Sequence, residues 1–205
     1  MQDYTPAQER VLDAAAAAFS EHGFGGTSTR DIAVRAGRSP AAVYVHYRSK
    51  EDLLFAVSRR GHDAAHRAMI EASADAASPT ERLGTMVHAS TLWHLENARV
   101  ARVVQYEYGA LTEPHRGVIA DLRRQTTQLI VDVIAEGDAS GDFDVDDIAG
   151  TARAVLSLSI DLVRWFSPDR LDQAARIARL NVALAQRMVG AGPPRSAPTI
   201  RCASR

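Results

Sequence analysis

Residues 27–54 read T-S-T-R-D-I-A-V-R-A-G-R-S-P-A-A-V-Y-V-H-Y-R-S-K-E-D-L-L. Two short helices are written there back to back. Ser28 followed three residues later by Asp31 has the spacing of a capping box, in which each side chain satisfies a backbone N–H that the first turn leaves free. Gly37 ends that helix, because glycine leaves a helix without a Cβ penalty. Ser39-Pro40 opens the next, with proline at the first position, where its missing N–H is no loss. The second helix leads with Pro40, Ala41 and Ala42, small residues that let a backbone approach a partner closely.

A helix, a short turn and a second helix with a small-residue front make a helix-turn-helix. In that motif the second helix lies in the major groove with its N-terminal residues at the base edges. The DNA-facing candidates are therefore Ser28, Arg30, Arg38, Ser39, Pro40, Ala41, Ala42, Tyr44, Val45, His46 and Lys50. An alanine methyl meets a thymine methyl, and a hydroxyl or imidazole meets a phosphate or a base edge. Arg30 reaches a guanine or a phosphate. Lys50 sits in the first turn of the following helix, whose free N–H groups also attract phosphate. Ile32, Ala33, Val43, Tyr47 and Leu53 form the small core beneath.

Charge supports contact through one face. Between Thr27 and Lys50 the cations are Arg30, Arg35, Arg38, Arg48 and Lys50, and the acid is Asp31, whereas the whole chain carries −1. A basic patch on a slightly acidic body suits local contact with phosphates. Lys50 is the only lysine in the sequence.

The hydrophobic fraction of 46% is enough for a packed core. Cys202 is the single cysteine, so no intrachain disulfide forms and a reducing compartment is expected. No apolar run approaches the ~20 residues that span a bilayer, and the N-terminus has no signal-peptide pattern. A cytoplasmic protein with no membrane partner is expected.

Apolar residues recur at helical spacing almost throughout, which predicts an all-α fold of about nine helices. Helix 1 starts at Thr5-Pro6 and stops at Gly23, and helix 3 ends near Tyr47. Helix 4 runs from Lys50 to Ala76, helix 5 from Ser78-Pro79 to Glu96, helix 6 from Ala98 to Ala110 and helix 7 from Glu113 to Gly137. Asp144 caps helix 8, Val145 to Phe166, and Ser167-Pro168 starts helix 9, which ends near Gly190. The division is a head at 1–48, a larger helical body at 49–190, and a disordered tail at 191–205 rich in Pro, Ser and Arg.

The head resembles the TetR family of transcriptional regulators. The matching residues are Phe19, Gly23, Phe24, Thr27-Ser28-x-x-Asp31-Ile32-Ala33, Ala36-Gly37, Ser39 and Val43-Tyr44-x-His46-Tyr47-x-Ser49-Lys50-Glu51-x-Leu53-Leu54. Arg38 departs from the family's usual Val or Ile, and Tyr47 from its usual Phe. The resemblance implies a homodimer, a double-stranded DNA operator as partner, and an effector in the body that releases DNA.

In the body, Glu107, Leu111, the segment Gly137–Phe143 and Arg164-Trp165-Phe166-x-Pro168 are similar to family members that respond to acyl-CoA thioesters. In those members an arginine beside the aromatic pair helps hold CoA, which implies that role for Arg164. Wall candidates are Trp93, Val103, Tyr106, Tyr108, Ile130, Ile160 and Trp165, with Arg99, Arg102 and Arg164 facing an anionic group. Core packing is the commoner role for such apolar residues. Helices 8 and 9 are expected to pair with their copies through Ala152, Val155, Leu156, Leu158, Leu162, Ile177, Leu180, Ala183, Leu184 and Met188.

No nucleophile elbow, P-loop or dinucleotide fingerprint is present, so no enzyme and no cofactor are expected. His62 and His66 lie at i and i+4 on one helical face, a spacing that suits a metal, but no third ligand is apparent. Two alternatives to an effector-gated repressor stay open: a DNA-binding protein without an effector, and a metal-dependent helical enzyme.

Overall fold

A computed structural model describes residues 4–191, and every regular element within them is helical. Residues 192–205 of the expected tail, with Cys202, lie outside the described residues. The head comprises α1 (Pro6–His22), α2 (Thr29–Arg35) and α3 (Pro40–Tyr44). Thr5 and Gln8 form a capping box on α1, and Ser28 and Asp31 form the expected one on α2. At the end of α2, Gly37 N–H donates to the Val34 carbonyl (3.0 Å) and Arg38 N–H to the Ala33 carbonyl (2.9 Å). That pair is a Schellman turn, and it places Gly37 at φ +64°, where a Cβ is unfavourable. The turn's following residue usually adds an apolar contact. Here it is Arg38, which points to solvent.

α3 is shorter than expected, with Val45 as its C-cap. It is held by one buried knob, Val43, which packs with Phe19, Ile32, Ala33, Tyr47 and Leu53. Each such fully buried side chain contributes about 1.5–3 kcal/mol. This core does not stop at residue 48. It continues through Leu54 and Val57 to Val103, Leu111 and Ile119.

The body is built on α4 (Lys50–Ser73), with α5 (Pro79–Glu96), α6 (Ala98–Tyr106), α7 (Glu113–Ser140), α8 (Ile148–Ile160), α9 (Leu162–Trp165) and α10 (Ala174–Met188) around it. α6 ends at Tyr106, and a separate 3-10 turn covers Tyr108–Ala110. α7 outruns its expected end by one turn because Gly137 stays helical. The Phe143 ring lies where a Cβ at Gly137 would sit, and Gly141, at φ +80°, makes the stop.

The cap expected at Asp144 is instead Asp147, whose side chain accepts from Gly150 N–H. Asp144 donates its own N–H to the Val189 carbonyl and so ties this connection to the end of α10. The expected eighth helix is broken at Asp161, and the expected ninth begins as a 3-10 segment, Pro168–Gln173. A second core of Met69, Leu83, Met86, Ile130, Ile134, Phe143, Val155 and Val189 closes the far end of the body.

Candidate DNA-reading face and effector cavity

The front of α3 is open. Pro40, Ala41, Ala42, Tyr44, Val45 and His46 are exposed, Val45 by 78%. The Ser39 hydroxyl accepts from Ala42 N–H, so the helix start is fixed while its leading surface stays bare. Arg30 and Arg38 flank it, both exposed. Ser28 is exposed too, but its hydroxyl serves Asp31 in the capping box. Arg35 is not a free cation of this patch, because it forms a two-pronged ion pair with Glu21 at 2.6 and 3.0 Å.

Lys50 corrects the sequence reading. Its ammonium does not stand out toward a phosphate. It donates to the Phe24 carbonyl (2.7 Å) and the Thr27 carbonyl (2.8 Å), and lies 4.3 Å from the Phe24 ring centre. The single lysine thus pins the α1–α2 loop to the start of α4. Thr27 is buried in the same loop and donates to the Ala18 and Gly23 carbonyls.

Inside the body is a cavity of about 370 Å³. It is walled by α4 (Gly61, His62, Ala65, Met69), α5 (Ser90, Trp93, His94), α6 (Ala101, Val104, Gln105), α7 (Arg123, Thr126, Thr127), α8 (Leu156, Ser157, Ile160) and Val163 of α9. Of the expected wall residues, Trp93 and Ile160 are there.

The others are placed elsewhere. Val103 is in the head core, on the face of α6 turned away from the cavity, and Ile130 is in the body core, further along the α7 face that carries Arg123, Thr126 and Thr127. Tyr106 is half exposed, and Arg102 lies over its ring. Tyr108 sits on the 3-10 turn under the Arg123 guanidinium, 4.3 Å from ring centre to charge. Arg99 borders a groove beside α1. Arg164 is exposed and pairs with Asp161 at 3.4 Å, and Trp165 is 59% exposed against the edge of Phe166. The sequence reading missed Arg123, His62 and His94 as cavity groups. Helical spacing puts His62, Ala65 and Met69 on one face of α4, but nothing local says that α7 turns Arg123 toward that face.

The polar groups of the cavity are oriented. Arg123 donates from Nη2 to the Val104 carbonyl (2.9 Å) and from Nε to Nε2 of His62 (3.5 Å). Burial, then the Arg123 charge, then His94, push His62 down to about 3, so its ring is neutral near pH 7. Burial also lowers His94, whose Nδ1–H donates to the Ser90 carbonyl at 2.8 Å. His66 points to Thr126, 3.2 Å from its hydroxyl.

Between His62 and a neighbouring guanidinium, the i, i+4 histidine pair is poorly placed for a cation. Among the described residues, Glu51, Asp52 and His115 do bring three ligating atoms within 4.8 Å. The Glu51 carboxylate there already accepts from Thr112 N–H, the Thr112 hydroxyl and His115. Among the described residues no helix is long and apolar enough to cross a membrane.

Comparison with known proteins bears on both halves. Residues 11–57 match the bacterial regulatory proteins of the tetR family, and residues 76–189 match the tetracyclin repressor-like C-terminal domain. The chain is 32% identical over 165 residues to the HTH-type transcriptional repressor KstR2 of Mycobacterium tuberculosis, covering 77% of this chain and 80% of that one. A crystal structure of a tetR-family bacterial regulatory protein from Rhodococcus RHA1 superposes with a TM-score of 0.87 at 40% identity, over 93% of this chain and all of that one. AibR, solved in complex with isovaleryl coenzyme A and operator DNA, shares the fold at a TM-score of 0.77 and 22% identity, over 90% of this chain and 98% of its own.

Proposed function

The chain belongs to the TetR family of transcriptional regulators, and on that premise we propose a homodimeric repressor that leaves its palindromic operator when a small, largely apolar effector fills the body cavity. The observation that carries this reading is the position of α6. Ala101, Val104 and Gln105 line the cavity, while Val103, between them, is buried in the head core with Phe19 of α1. One rod therefore touches both the ligand space and the body of the reading head. An effector that fits only a shifted α6 draws the population away from the DNA-competent arrangement by its difference in affinity for the two states.

The DNA contacts in this reading come from the exposed front of α3, with Ala41, Ala42, Val45 and His46 at base edges and Tyr44, Arg30 and Arg38 at phosphates. Two such heads must sit about one DNA turn apart, ~34–36 Å. For the dimer face, Ala152, Val155, Leu156 and Leu162 are buried within the subunit and drop out of the expected set. Leu180 and Met188 of α10 remain exposed, with Leu171 and Trp165 nearby in sequence, and these are the apolar residues that a partner copy would cover.

For the effector, an acyl-CoA thioester is the class favoured by the resemblance of the Arg164–Phe166 segment and by the ligand of AibR. The cavity is at the small end of the ~300–1,000 Å³ typical of ligand pockets. It suits an acyl group, with the rest of the molecule outside, near Arg164 and Trp165. The cavity also favours this reading over a DNA-binding protein with no effector, whose body would be solidly packed.

The test is direct. An operator selected from random DNA with the full chain is expected to be palindromic, and Ala42→Asp is expected to abolish its binding while leaving the unfolding midpoint unchanged. Acyl-CoA thioesters are expected to raise the melting temperature and lower operator affinity. Sedimentation as a monomer at micromolar concentration refutes the dimer, and wild-type operator binding by Ala42→Asp refutes the placement of α3.

A further inference from the structure

The cavity contains a full positive charge that no carboxylate among the described residues pairs with. Arg123 is partly buried, and burial lowers its pKa. Among the described residues no carboxylate lies in the cavity wall, and the group that favours the Arg123 charge is the Tyr108 ring beneath it. A guanidinium has five N–H donors in a fixed fork. One goes to the Val104 carbonyl and one to His62, and both of these acceptors are neutral. No hydrogen bond of Nη1 to a protein acceptor is found among the described residues.

The two imidazoles of the cavity are kept uncharged, so they add hydrogen-bonding groups without adding charge. Next to this polar corner, Ala65, Met69, Trp93, Leu156, Ile160 and Val163 make an apolar wall.

We propose that the end of the effector that enters the cavity carries a carboxylate, which docks on the free edge of the Arg123 guanidinium while its apolar body lies against Met69, Trp93 and Leu156. A neutral oxygen fits this corner less well. A ketone or ester carbonyl accepts a hydrogen bond but leaves the charge of a half-buried guanidinium unanswered, whereas a carboxylate both neutralises it and matches its fork. Arg164 does not compete for this role, because it is exposed and already paired with Asp161.

The inference rests on reading the cavity as the effector site, and it narrows that reading. Two sources carry the required chemistry: a free carboxylic acid with a short apolar chain, and a thioester of a dicarboxylic acid whose second carboxyl enters first. Position also gives the corner an effect on the head. The Val104 carbonyl that Arg123 holds belongs to α6, next to Val103 in the head core. A carboxylate that re-aims the guanidinium therefore acts on the helix that joins ligand space to head.

The experiment is isothermal calorimetry and thermal shift on the full chain with matched probes. Octanoate is set against octanamide, and glutaryl-CoA against valeryl-CoA. The expected result is that within at least one pair the charged member binds tenfold or more tighter than its neutral partner. Arg123→Gln is expected to abolish that preference and Arg123→Lys to keep part of it. Preference for octanoate assigns the free acid, and preference for glutaryl-CoA assigns the dicarboxylic thioester.

Equal binding within both pairs, or no binding by any of the four, overturns the carboxylate assignment. So does a preference that survives in Arg123→Gln. Valeryl-CoA binding as tightly as glutaryl-CoA, with octanoate no tighter than octanamide, sinks this inference but leaves the acyl-CoA effector standing. The comparison between probes is made on the unaltered protein, so it holds even if the Arg123 variants fold poorly.

Discussion

Nδ1 of His115 lies 2.8 Å from Oε2 of Glu51, and the imidazole stacks face to face on Phe55 at 3.8 Å. The contact ties the first turn of α4, which follows the reading head, to the first turn of α7, which walls the cavity. The same carboxylate accepts from Thr112 N–H at 2.9 Å and from its hydroxyl at 3.1 Å. Thr112 is the N-cap of α7 and makes no side-chain cap of its own. Glu51 therefore takes, from another helix, the place of the acidic partner of a capping box by accepting the N-cap N–H, and it sets a carboxylate at the positive end of the α7 dipole. Replacing Glu51 with alanine is expected to lower stability by about 2 kcal/mol, as for a lost charge-assisted hydrogen-bond group. Urea unfolding checks this, and a change below about 0.5 kcal/mol, the range of an ordinary surface substitution, contradicts it.

Lys50 is a loop pin by geometry, and its loss should look like one. Lys50→Met is expected to lower stability by about 1–3 kcal/mol, because it removes the ammonium donor from both loop carbonyls and leaves that of Phe24 with only the long bond from Thr27 N–H (3.4 Å). Operator affinity is then expected to fall with the slope of log affinity against log salt unchanged. A slope reduced by about one would instead identify Lys50 as a phosphate contact.

Gly61 lets α4 pack tightly against α6 beside the cavity. A Cβ there would lie 2.8 Å from Cγ1 of Val100 and 3.2 Å from Cγ2 of Val104. Gly61→Ala is expected to push α6 aside and weaken operator binding several-fold without any effector, since α6 packs on α1. Electrophoretic mobility shift at fixed salt measures it. Unchanged operator affinity in a variant that folds argues against α6 as the transmitting element.

Acid should loosen the body. In the unfolded chain His62 titrates near the ordinary 6.5, and in the folded protein near 3, chiefly because it is buried. Between these values the unfolded state binds the extra proton. Stability is full above about pH 6.5 and falls as pH drops toward 3, by up to about 1.4 kcal/mol per unit for this group. The lowered His94 adds in the same direction. Denaturant midpoints at pH 7, 6 and 5 check the slope, and His62→Gln is expected to flatten it.

The head could be read from the sequence because its determinants are local. The Ser28–Asp31 box, the Gly37 turn and the Ser39-Pro40 start each act within a few residues, and Val43 has no neighbour to bury against except the core made by Ile32, Phe19 and Leu53. Helical periodicity likewise carried the all-α class, because an apolar stripe at that spacing can be buried only by a helix.

What periodicity could not say is which of several facing helices each stripe meets. Asp147 rather than Asp144 caps α8, and Asp144 instead ties this connection to the far end of α10 through its N–H. Val103 and Val104 are adjacent in the chain, yet one is head core and the other cavity wall, since consecutive helical residues point about 100° apart. Lys50, the residue that composition singled out, faces inward because two loop carbonyls far earlier in the chain, those of Phe24 and Thr27, take its ammonium as a donor. Arg123 became a cavity group only through the crossing of α7 over α4. Sequence alone determined the reading head and the helical class, through contacts a few residues long. Tertiary structure alone decided the body cavity, because its walls come from helices that meet only after the chain has packed.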